Sequence, residues 1–215
     1  MPAPAEAPFT AGVVLAAGAS RRLGEPKQLL PYRGATLLDA VLDTARACRF
    51  DQLVVALGGA AGAVRARVDL SGADVVVAGD PGAGCSSSIA AALGALDPRC
   101  ALLVLLLGDQ PGVTPATVAA LLAGRGDAPL AACRYDDGRG HPLAFARPAF
   151  GALAALHGDK GVWRLLDERA GEVAAVRVPG PVPADVDTWD EYRALVAEAP
   201  PRGLGLGVAA CEARR

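Results

Sequence analysis

Residues 11–27 read AGVVLAAGASRRLGEPK, and this stretch decides the fold. Its first part, residues 11–17, is a short apolar run with adjacent valines, which predicts a buried β-strand. The run gives way to a loop with glycines at 18 and 24, where the backbone can approach a ligand closely and turn its N–H groups towards an anion. A buried strand that ends in such a loop is typical of an α/β protein whose ligand binds at the carboxyl end of the strand.

The spacing in this loop excludes two common phosphate motifs. Gly18 and Gly24 are too far apart for a G-x-G-x-x-G dinucleotide loop, and no Gly-Lys-Ser/Thr follows as in a P-loop. Arg22 and Lys27 nevertheless supply fixed positive charge that suits a triphosphate. Only two of the 21 basic side chains are lysines, Lys27 and Lys160, which favours a role for a compact ammonium group. A solvated loop with unrelated cations fits the same residues.

Strands and helices alternate from this stretch to about residue 125. The pattern predicts strands at 11–17, 53–57, 74–78 and 100–107, with helices at 37–49, 60–68, 87–96 and 115–123. Thr36 is the expected cap of the first helix, and Pro115 opens the fourth. This alternation predicts an α/β fold with a Rossmann-like, mostly parallel sheet and helices on both faces.

After residue 125 strands and helices no longer alternate regularly. We expect strands at 129–133 and 142–146 joined by a turn at 136–140, helices at 148–156 and 160–169, a strand at 173–178 and a helix at 188–198. These elements predict a smaller second β/α lobe. The expected organisation is a flexible leader over residues 1–10, one domain over 11–198, and a flexible tail over 199–215.

Composition excludes several classes of protein. The net charge is −2 and no basic run is present, which argues against a nucleic-acid partner. The longest aliphatic run, residues 101–107, is too short to span a bilayer, so no membrane partner is expected. Five cysteines without a C-x-x-C pair indicate reduced thiols, and residues 1–10 lack the features of a signal peptide. These features predict a cytoplasmic protein.

The segment LLGDQP, residues 106–111, places a carboxylate at the end of the most apolar strand. A carboxylate there is well suited to anchor Mg²⁺ beside phosphates, because Mg²⁺ prefers oxygen ligands and keeps several waters. Asp109 is therefore a candidate metal ligand. An aspartate that only caps a turn is the alternative.

The segment ADVDTWDEY, residues 184–192, supplies a second acidic site. From the residues alone, Asp187 or Thr188 caps a helix whose first turn carries Asp190 and Glu191. Two further segments leave similar choices open. GDPGAGCSSSIAAAL, residues 79–93, fits either a base and ribose contact or a plain turn before a helix. GRGHP at 138–142 and HGDKG at 157–161 fit either an anion site or two surface turns.

The stretch LAAGASRRLGEPKQLLPYRGATLLDAVLDTA, residues 15–45, resembles the opening of the MobA-like nucleotidyltransferases, whose signature is LAAG-x-S-x-R-M/L-G-x-x-K. KQLLP is similar to the molybdenum cofactor cytidylyltransferase branch of that family. The resemblance implies a nucleotide-diphospho-sugar transferase-like fold in which the second lobe lies on the acceptor side. It also implies that the loop binds a nucleoside triphosphate. The implied nucleotide contacts are Ala16, Ala17, Gly18, Ser20, Arg22, Gly24, Lys27, Gly84, Ser86 and Ser87.

The resemblance also assigns the acidic and second-lobe segments. GDQP matches the cytidylyltransferase-like branch, and 184–192 resembles D-I-D-T-P-E-D/E, whose second aspartate ligates metal. Asp109 and Asp187 would then hold Mg²⁺ together, although Trp189 stands where proline is usual. Cys85 likewise replaces the methionine of G-M-S-S-S-L/I. The implied acceptor-side residues are His141, Asp159 and Lys160.

The implied reaction joins CMP from CTP, or a nucleotide from another triphosphate, to the phosphate of a molybdopterin-type acceptor and releases pyrophosphate. Arg22, Lys27 and Asp109 would be the catalytic residues, and no general base is needed because the attacking phosphate is already ionised. A molybdoenzyme or its chaperone would receive the product. Two alternatives remain on the same scaffold. One is an NAD(P)H-dependent oxidoreductase similar to nicotine blue oxidoreductase, and the other is an accessory protein that binds the molybdenum cofactor without catalysis.

Overall fold

The computed structural model describes residues 7–79, 85–158 and 160–198, and it is built around one seven-stranded sheet. The sheet strands are β1 (Thr10–Ala16), β4 (Gln52–Leu57), β5 (Asp74–Val77), β6 (Leu102–Leu107), β7 (Leu130–Arg134), β8 (Arg139–Ala146) and β9 (Val173–Arg177). A separate two-stranded ribbon is formed by β2 (Pro31–Tyr32) and β3 (Ala35–Thr36). The helices are α1 (Leu37–Ala47), α2 (Ala61–Arg67), α3 (Cys85–Gly94), α4 (Pro115–Arg125), α5 (Phe150–Ala154), α6 (Gly161–Glu168) and α7 (Trp189–Glu198).

The sheet has the order β5-β4-β1-β6-β8-β7-β9. β1 pairs in parallel with β4 and β6, and β4 pairs in parallel with β5. β8 runs antiparallel to both β6 and β7, while β7 and β9 are parallel. The expected mostly parallel α/β sheet is therefore confirmed, and β8 is the strand that joins its two parts.

Both faces of the central strand β1 are buried, as its apolar sequence predicts. Val13 and Leu15 point into a cluster with α3, α5 and α6, whereas Val14 and Ala16 point into a second cluster with α1, α2 and α4. Alternate residues of a strand face opposite sides of a sheet, so a strand covered by helices on both sides is apolar throughout. Burial on both sides fixes the end of β1, and hence the loop that follows it.

Local signals in the sequence set the helix starts correctly at two places. Thr36 accepts a hydrogen bond from the backbone N–H of Asp39 at 3.1 Å, and the Asp39 carboxylate accepts one from the N–H of Thr36 at 3.0 Å. This reciprocal capping box begins α1. At α4 the cap is a single bond: the Thr114 hydroxyl accepts from the N–H of Thr117 at 3.1 Å, with Pro115 as the first helical residue.

The observed elements differ from the sequence-based expectation in several places. β8 begins at Arg139 rather than at 142, because its pairing with β7 continues to Arg134 beyond an irregularity after Ala132. The helix expected at 148–156 is a 3₁₀ turn at Arg147–Ala149 followed by the short α5. The β2–β3 ribbon was not predicted, and it turns at Arg33 and Gly34, which both have positive φ. β1 starts one residue early, at Thr10.

None of the helices in the described ranges is both long and apolar enough to cross a membrane. Most of the expected leader (residues 1–6) and all of the expected tail (residues 199–215) lie outside the described residues.

Candidate functional site

A cleft of about 490 Å³ opens at the carboxyl ends of the parallel strands. Its walls come from residues that follow β1, β4, β5 and β6 and from the first turn of α3, with Asp187 at one side. Ligands of open α/β sheets bind at this edge, because the loops after neighbouring strands meet there. The loops expected to carry the site therefore converge as predicted.

The loop between β1 and residue 27, which we call the glycine loop (residues 18–27), is fixed by its own side chains. The buried amide of Gln28 donates hydrogen bonds to the carbonyl oxygens of Ala16 and Gly18, at 2.8 and 3.2 Å. The Ser20 hydroxyl accepts a hydrogen bond from the backbone N–H of Lys27 at 2.9 Å. These bonds hold the two ends of the loop together without a ligand.

Most of the predicted nucleotide contacts of the glycine loop line the cleft. They are Ala16, Ala17, Gly18, Ser20, Arg22 and Lys27. Gly24 is not among the lining residues; it has a φ of +75° and its N–H bonds to the carbonyl oxygen of Ser20 at 3.1 Å. Glycine adopts this left-handed conformation without steric cost, so Gly24 closes the turn of the loop rather than facing a ligand.

Four charged side chains meet at the open end of the glycine loop. The ammonium of Lys27 donates to Asp109 Oδ2 and, at 2.7 Å, to Asp187 Oδ1. Arg22 pairs with the other oxygen of Asp187. Lys27 and Asp109 are nearly enclosed, with side chains 11% and 14% exposed, whereas Asp187 is 39% and Arg22 64% exposed. Side-chain exposure therefore increases across the cluster, from the nearly enclosed pair to the Arg22 cation at the surface.

The surroundings shift the proton affinities within this cluster. Burial raises the pKa of Asp109, and the neighbouring ammonium of Lys27 offsets part of that rise. Burial acts to lower the pKa of Lys27, but the two carboxylates outweigh it and hold that pKa above its ordinary value. The hydrogen bond from Lys27 lowers the pKa of Asp187. At neutral pH the cluster consequently keeps Lys27 and Asp187 charged.

Asp187 reaches the cleft because its neighbours take over the capping of α7. Glu191 accepts hydrogen bonds from the N–H groups of Asp187 and Thr188, at 2.9 and 2.7 Å, and its own N–H donates to the Thr188 hydroxyl at 3.3 Å. This reciprocal arrangement satisfies the start of α7. The alternative in which Thr188 caps the helix is thus correct, and it leaves the Asp187 carboxylate free to bind Lys27 and Arg22.

The segment before Asp187 is also packed onto the glycine loop. Leu23 of the loop and Val186 are buried in one apolar cluster, against which Trp189 and Tyr192 of α7 pack. The Tyr192 hydroxyl donates to the carbonyl oxygen of Pro31 at 2.6 Å. Trp189, which stands where the family has proline, therefore contributes to this packing while Asp187 still faces the cleft.

The first turn of α3 contributes only part of what was expected. Cys85 and Ser87 line the cleft. Ser86 is buried, does not line the cleft, and accepts a hydrogen bond from the N–H of Gly158 at 3.1 Å. Gly84 lies outside the described residues.

Of the expected acceptor-side residues, His141 and Lys160 do not line the cleft. His141 is buried in β8, and its ring contacts the Trp163 ring edge-on with centroids 5.4 Å apart. Burial lowers the pKa of His141 to about 4, so the side chain is neutral at physiological pH. Of the two alternatives left open for this segment, the surface turn does not fit His141, because β8 starts before it and buries it. Lys160 is exposed just before α6, and Asp159 lies outside the described residues.

A comparison with known proteins identifies the family of this chain. Residues 12–174 match the MobA-like NTP transferase domain. The chain belongs to this family. It is also 35% identical over 201 residues to nicotine blue oxidoreductase of Paenarthrobacter nicotinovorans, covering 87% of this chain and 97% of that protein.

Solved structures are similar over nearly the same length. The homologue of Rv0371c from Mycobacterium sp. strain JC1 is 55% identical, with a TM-score of 0.84 over 88% of this chain and 96% of that one. Rv0371c of Mycobacterium tuberculosis H37Rv in complex with manganese is 51% identical, with a TM-score of 0.81 over 89% of this chain and 100% of that one. The fold is thus shared with these proteins over most of the chain.

The carboxylates of this MobA-like chain suit a divalent metal. Asp109 and Asp187 present oxygens to one cation, the ammonium of Lys27. Within the described residues, no group of three or more His, Cys, Asp and Glu side chains is placed to hold a metal ion. Two carboxylates fit a hard ion such as Mg²⁺ or Mn²⁺ that takes its other ligands from water and phosphate.

Two residues of this MobA-like site were missed by sequence reasoning. The buried Gln110 donates to the carbonyl oxygen of Pro183 at 3.0 Å, which links the segment after Asp109 to the segment before Asp187. Asp185 adds a negative charge that raises the pKa of Asp109. Gln110 is part of the GDQP motif, so the motif could have identified this residue. Its contact with Pro183 joins residues 73 positions apart, and no sequence signal predicts that contact.

Proposed function

We propose that this chain transfers the CMP moiety of CTP to the terminal phosphate of molybdopterin carrying molybdenum and releases pyrophosphate. The observation that carries the proposal is the meeting of Lys27 with Asp109 and Asp187 at the open end of the glycine loop. A cationic grip and a pair of metal-binding carboxylates are the two parts that a triphosphate donor site requires.

The chemical problem in this reaction is charge. An acceptor phosphate must approach the α-phosphorus of the triphosphate in line, and two unit charges about 4 Å apart repel by roughly 4 kcal/mol in a surface-like dielectric. Lys27 and Arg22 lie where they can neutralise donor phosphates, and residues 18–22 of the glycine loop line the cleft beside them.

Asp109 and Asp187 would hold Mg²⁺, which supplies further positive charge to the phosphates when bound. The attacking phosphate is ionised at neutral pH and needs no general base. His141, Asp159 and Lys160 remain proposed acceptor-side residues, with His141 acting as a neutral group.

The choice of cytosine and of molybdopterin rests on sequence motifs. LAAG, KQLLP and GDQP resemble the cytidylyltransferase branch, and GHP with GDKG resembles its acceptor side. The same proposal includes a cytoplasmic location and delivery of the product to a molybdoenzyme or its chaperone.

A second candidate is an NAD(P)H-dependent oxidoreductase. It is favoured by the 35% identity to nicotine blue oxidoreductase over most of both chains. In that case the glycine loop would bind the pyrophosphate of a dinucleotide. Hydride transfer needs no divalent metal, so it gives Asp109 and Asp187 no role in the reaction. For this reason we prefer nucleotidyl transfer.

One assay separates the two functions. Purified protein is incubated with Mg²⁺, molybdenum-loaded molybdopterin and CTP, GTP or ATP, and pyrophosphate release is measured; oxidation of NADH and NADPH is followed in parallel. We expect release with CTP and none from the Lys27→Ala protein, which controls for contaminating hydrolases. Absence of turnover with every triphosphate, together with NAD(P)H oxidation, would reject the proposal in favour of the oxidoreductase.

A further inference from the structure

The Lys27 side chain lies across the glycine loop before it reaches the carboxylates. Its backbone N–H is fixed by the Ser20 hydroxyl at 2.9 Å. A Cβ atom at Gly18 would lie 3.3 Å from Cε and 3.8 Å from Nζ of Lys27, so the absence of a side chain at Gly18 allows the lysine to run directly over the loop. The ammonium thus ends close to the loop and to the carboxylates at once.

The ammonium occupies the place where a cation shared by the two carboxylates would lie. It contacts one oxygen of Asp109 and one of Asp187. A divalent ion bound between the same oxygens would stand within a few ångströms of a charged nitrogen that is nearly enclosed, with little water to screen it. Lys27 and a metal ion therefore compete for one position.

A bound triphosphate would remove this competition. Its oxygens would lie along the glycine loop, on the side from which Lys27 approaches, and would offer the ammonium a second set of anionic partners. Because the backbone of Lys27 is anchored and its side chain already lies over Gly18, the exchange requires only rotation of the side chain.

We propose that Lys27 is an internal cation that closes the Asp109–Asp187 site to free metal ions, so that metal and triphosphate bind together. The inference rests on the proposed function in taking a triphosphate as the anion that draws Lys27 away. Linkage requires the coupling to be reciprocal: an anion that engages Lys27 tightens metal binding, and metal bound at the carboxylates tightens binding of the anion.

The test is the affinity for Mn²⁺ in the absence of nucleotide. Free Mn²⁺ is measured by electron paramagnetic resonance at pH 8 and constant ionic strength, with wild type, Lys27→Met and the charge-matched Arg65→Met, whose exposed side chain lies on α2 away from the cleft. We expect Lys27→Met to bind Mn²⁺ at least about fivefold more tightly than wild type, within the usual range of coupling between two sites. Arg65→Met should match wild type. Arg22→Met removes only the cation on Asp187 Oδ2 and leaves Lys27 in place, so its Mn²⁺ affinity should fall between those of wild type and Lys27→Met.

A second arm uses wild type alone, which keeps the inference testable if circular dichroism shows that Lys27→Met does not fold. Wild type should bind Mn²⁺ at least about fivefold more tightly with CTP than without it, after correction for Mn²⁺–CTP complexes measured without protein. Equal Mn²⁺ affinity with and without CTP, or no gain in Lys27→Met, would overturn the inference.

Pyrophosphate release from CTP by wild type in the same preparation tests the proposed function separately. Tighter Mn²⁺ binding by Lys27→Met without turnover of any triphosphate would reject the function and retain the internal cation. Normal turnover of CTP by wild type, together with an unchanged Mn²⁺ affinity in Lys27→Met, would retain the proposed function and reject the internal cation.

Discussion

The two lysines of this chain lie in contrasting surroundings, one in each half of the sheet. Lys27 is held between two carboxylates at the carboxyl ends of β1 and β6, with its backbone fixed by Ser20. Lys160 is exposed before α6, beside a second lobe whose other expected residue, His141, is buried. Lys27 belongs to a cluster of four linked charges that faces the cleft, whereas Lys160 lies at the surface. We infer that the donor side is preorganised and that the acceptor side depends more on its ligand.

The largest effect that this contrast predicts is at Lys27. Lys27→Ala removes the cation nearest the proposed phosphates, and kcat/KM for pyrophosphate release should fall by about 10³-fold. Asp109 faces the cleft, where water or a metal ion can replace the ammonium. The free energy of unfolding should therefore fall by less than the 3 to 5 kcal/mol, roughly, that is typical of a broken buried pair.

Turnover and thermal melting measured on one preparation check both parts. Turnover within a factor of about three of wild type would exclude a phosphate role, since removal of a single preorganised charge usually costs far more.

The second-largest effect is expected for Asp109→Asn. The change keeps the size of the side chain but removes the charge of the more buried carboxylate, so the metal loses its better-enclosed ligand. We expect the rate to fall by about 10²-fold, at or beyond the cost of removing a residue that only supports a metal ligand. The metal concentration for half-maximal rate should rise as well. Asp187→Asn is the matched comparison, with a smaller effect because Asp187 is more exposed.

An Asp109→Asn protein that is less stable than wild type but keeps its rate and its metal requirement would show that Asp109 only shapes the turn. A rate loss with an unchanged metal requirement would leave Asp109 as the partner of Lys27 and remove it from the metal site.

Much of the donor side could be predicted because each of its residues follows a strongly apolar strand or begins a helix. The run before Gly18 and the run before Asp109 each identify a strand, and the ends of neighbouring parallel strands meet at one edge of the sheet. Asp187 was harder, since Asp187 and Thr188 were equally good caps for α7. The access of Asp187 to the cleft depends on the hydrogen bonds between Glu191 and Thr188. The sequence permits these local bonds but does not require them.

The acceptor side was less predictable because the start of a strand has a weak signal. GRGHP contains two glycines and a proline, which favour a turn, yet pairing with β7 draws Arg139 and Gly140 into β8. Because β8 starts three residues earlier than expected, His141 lies within the strand at a buried position instead of just before it. The link from Gln110 to Pro183 depends on tertiary contact between distant segments, and no local pattern encodes it.

Burial of His141 gives a prediction on stability. The pKa of His141 is lowered from 6.5 to about 4 by burial, so the unfolded chain binds a proton first as the pH falls. The folded state should lose stability from about pH 6.5 down to about pH 4, by roughly 3 kcal/mol in total. His141→Gln should remove this pH-dependent part.

Urea unfolding at several pH values between 7 and 4 measures the slope. His157→Gln is the control, because His157 is the other histidine and is exposed, and it should keep the wild-type slope. The same slope in His141→Gln and wild type would mean that water reaches the ring of His141 in the folded state.

The smallest expected effect is at Lys160, and it tests the contrast between the two halves most directly. An exposed cation contributes little to binding in water, so Lys160→Met should raise KM for the molybdopterin acceptor by about two- to fivefold and leave KM for CTP unchanged. The difference from wild type should vanish at high salt, since exposed charges are screened there. Arg65→Met again controls for the loss of one charge. A loss as large as that of Lys27→Ala would mean that Lys160 is enclosed once the acceptor binds, and that the second lobe closes over its ligand instead of offering an open surface.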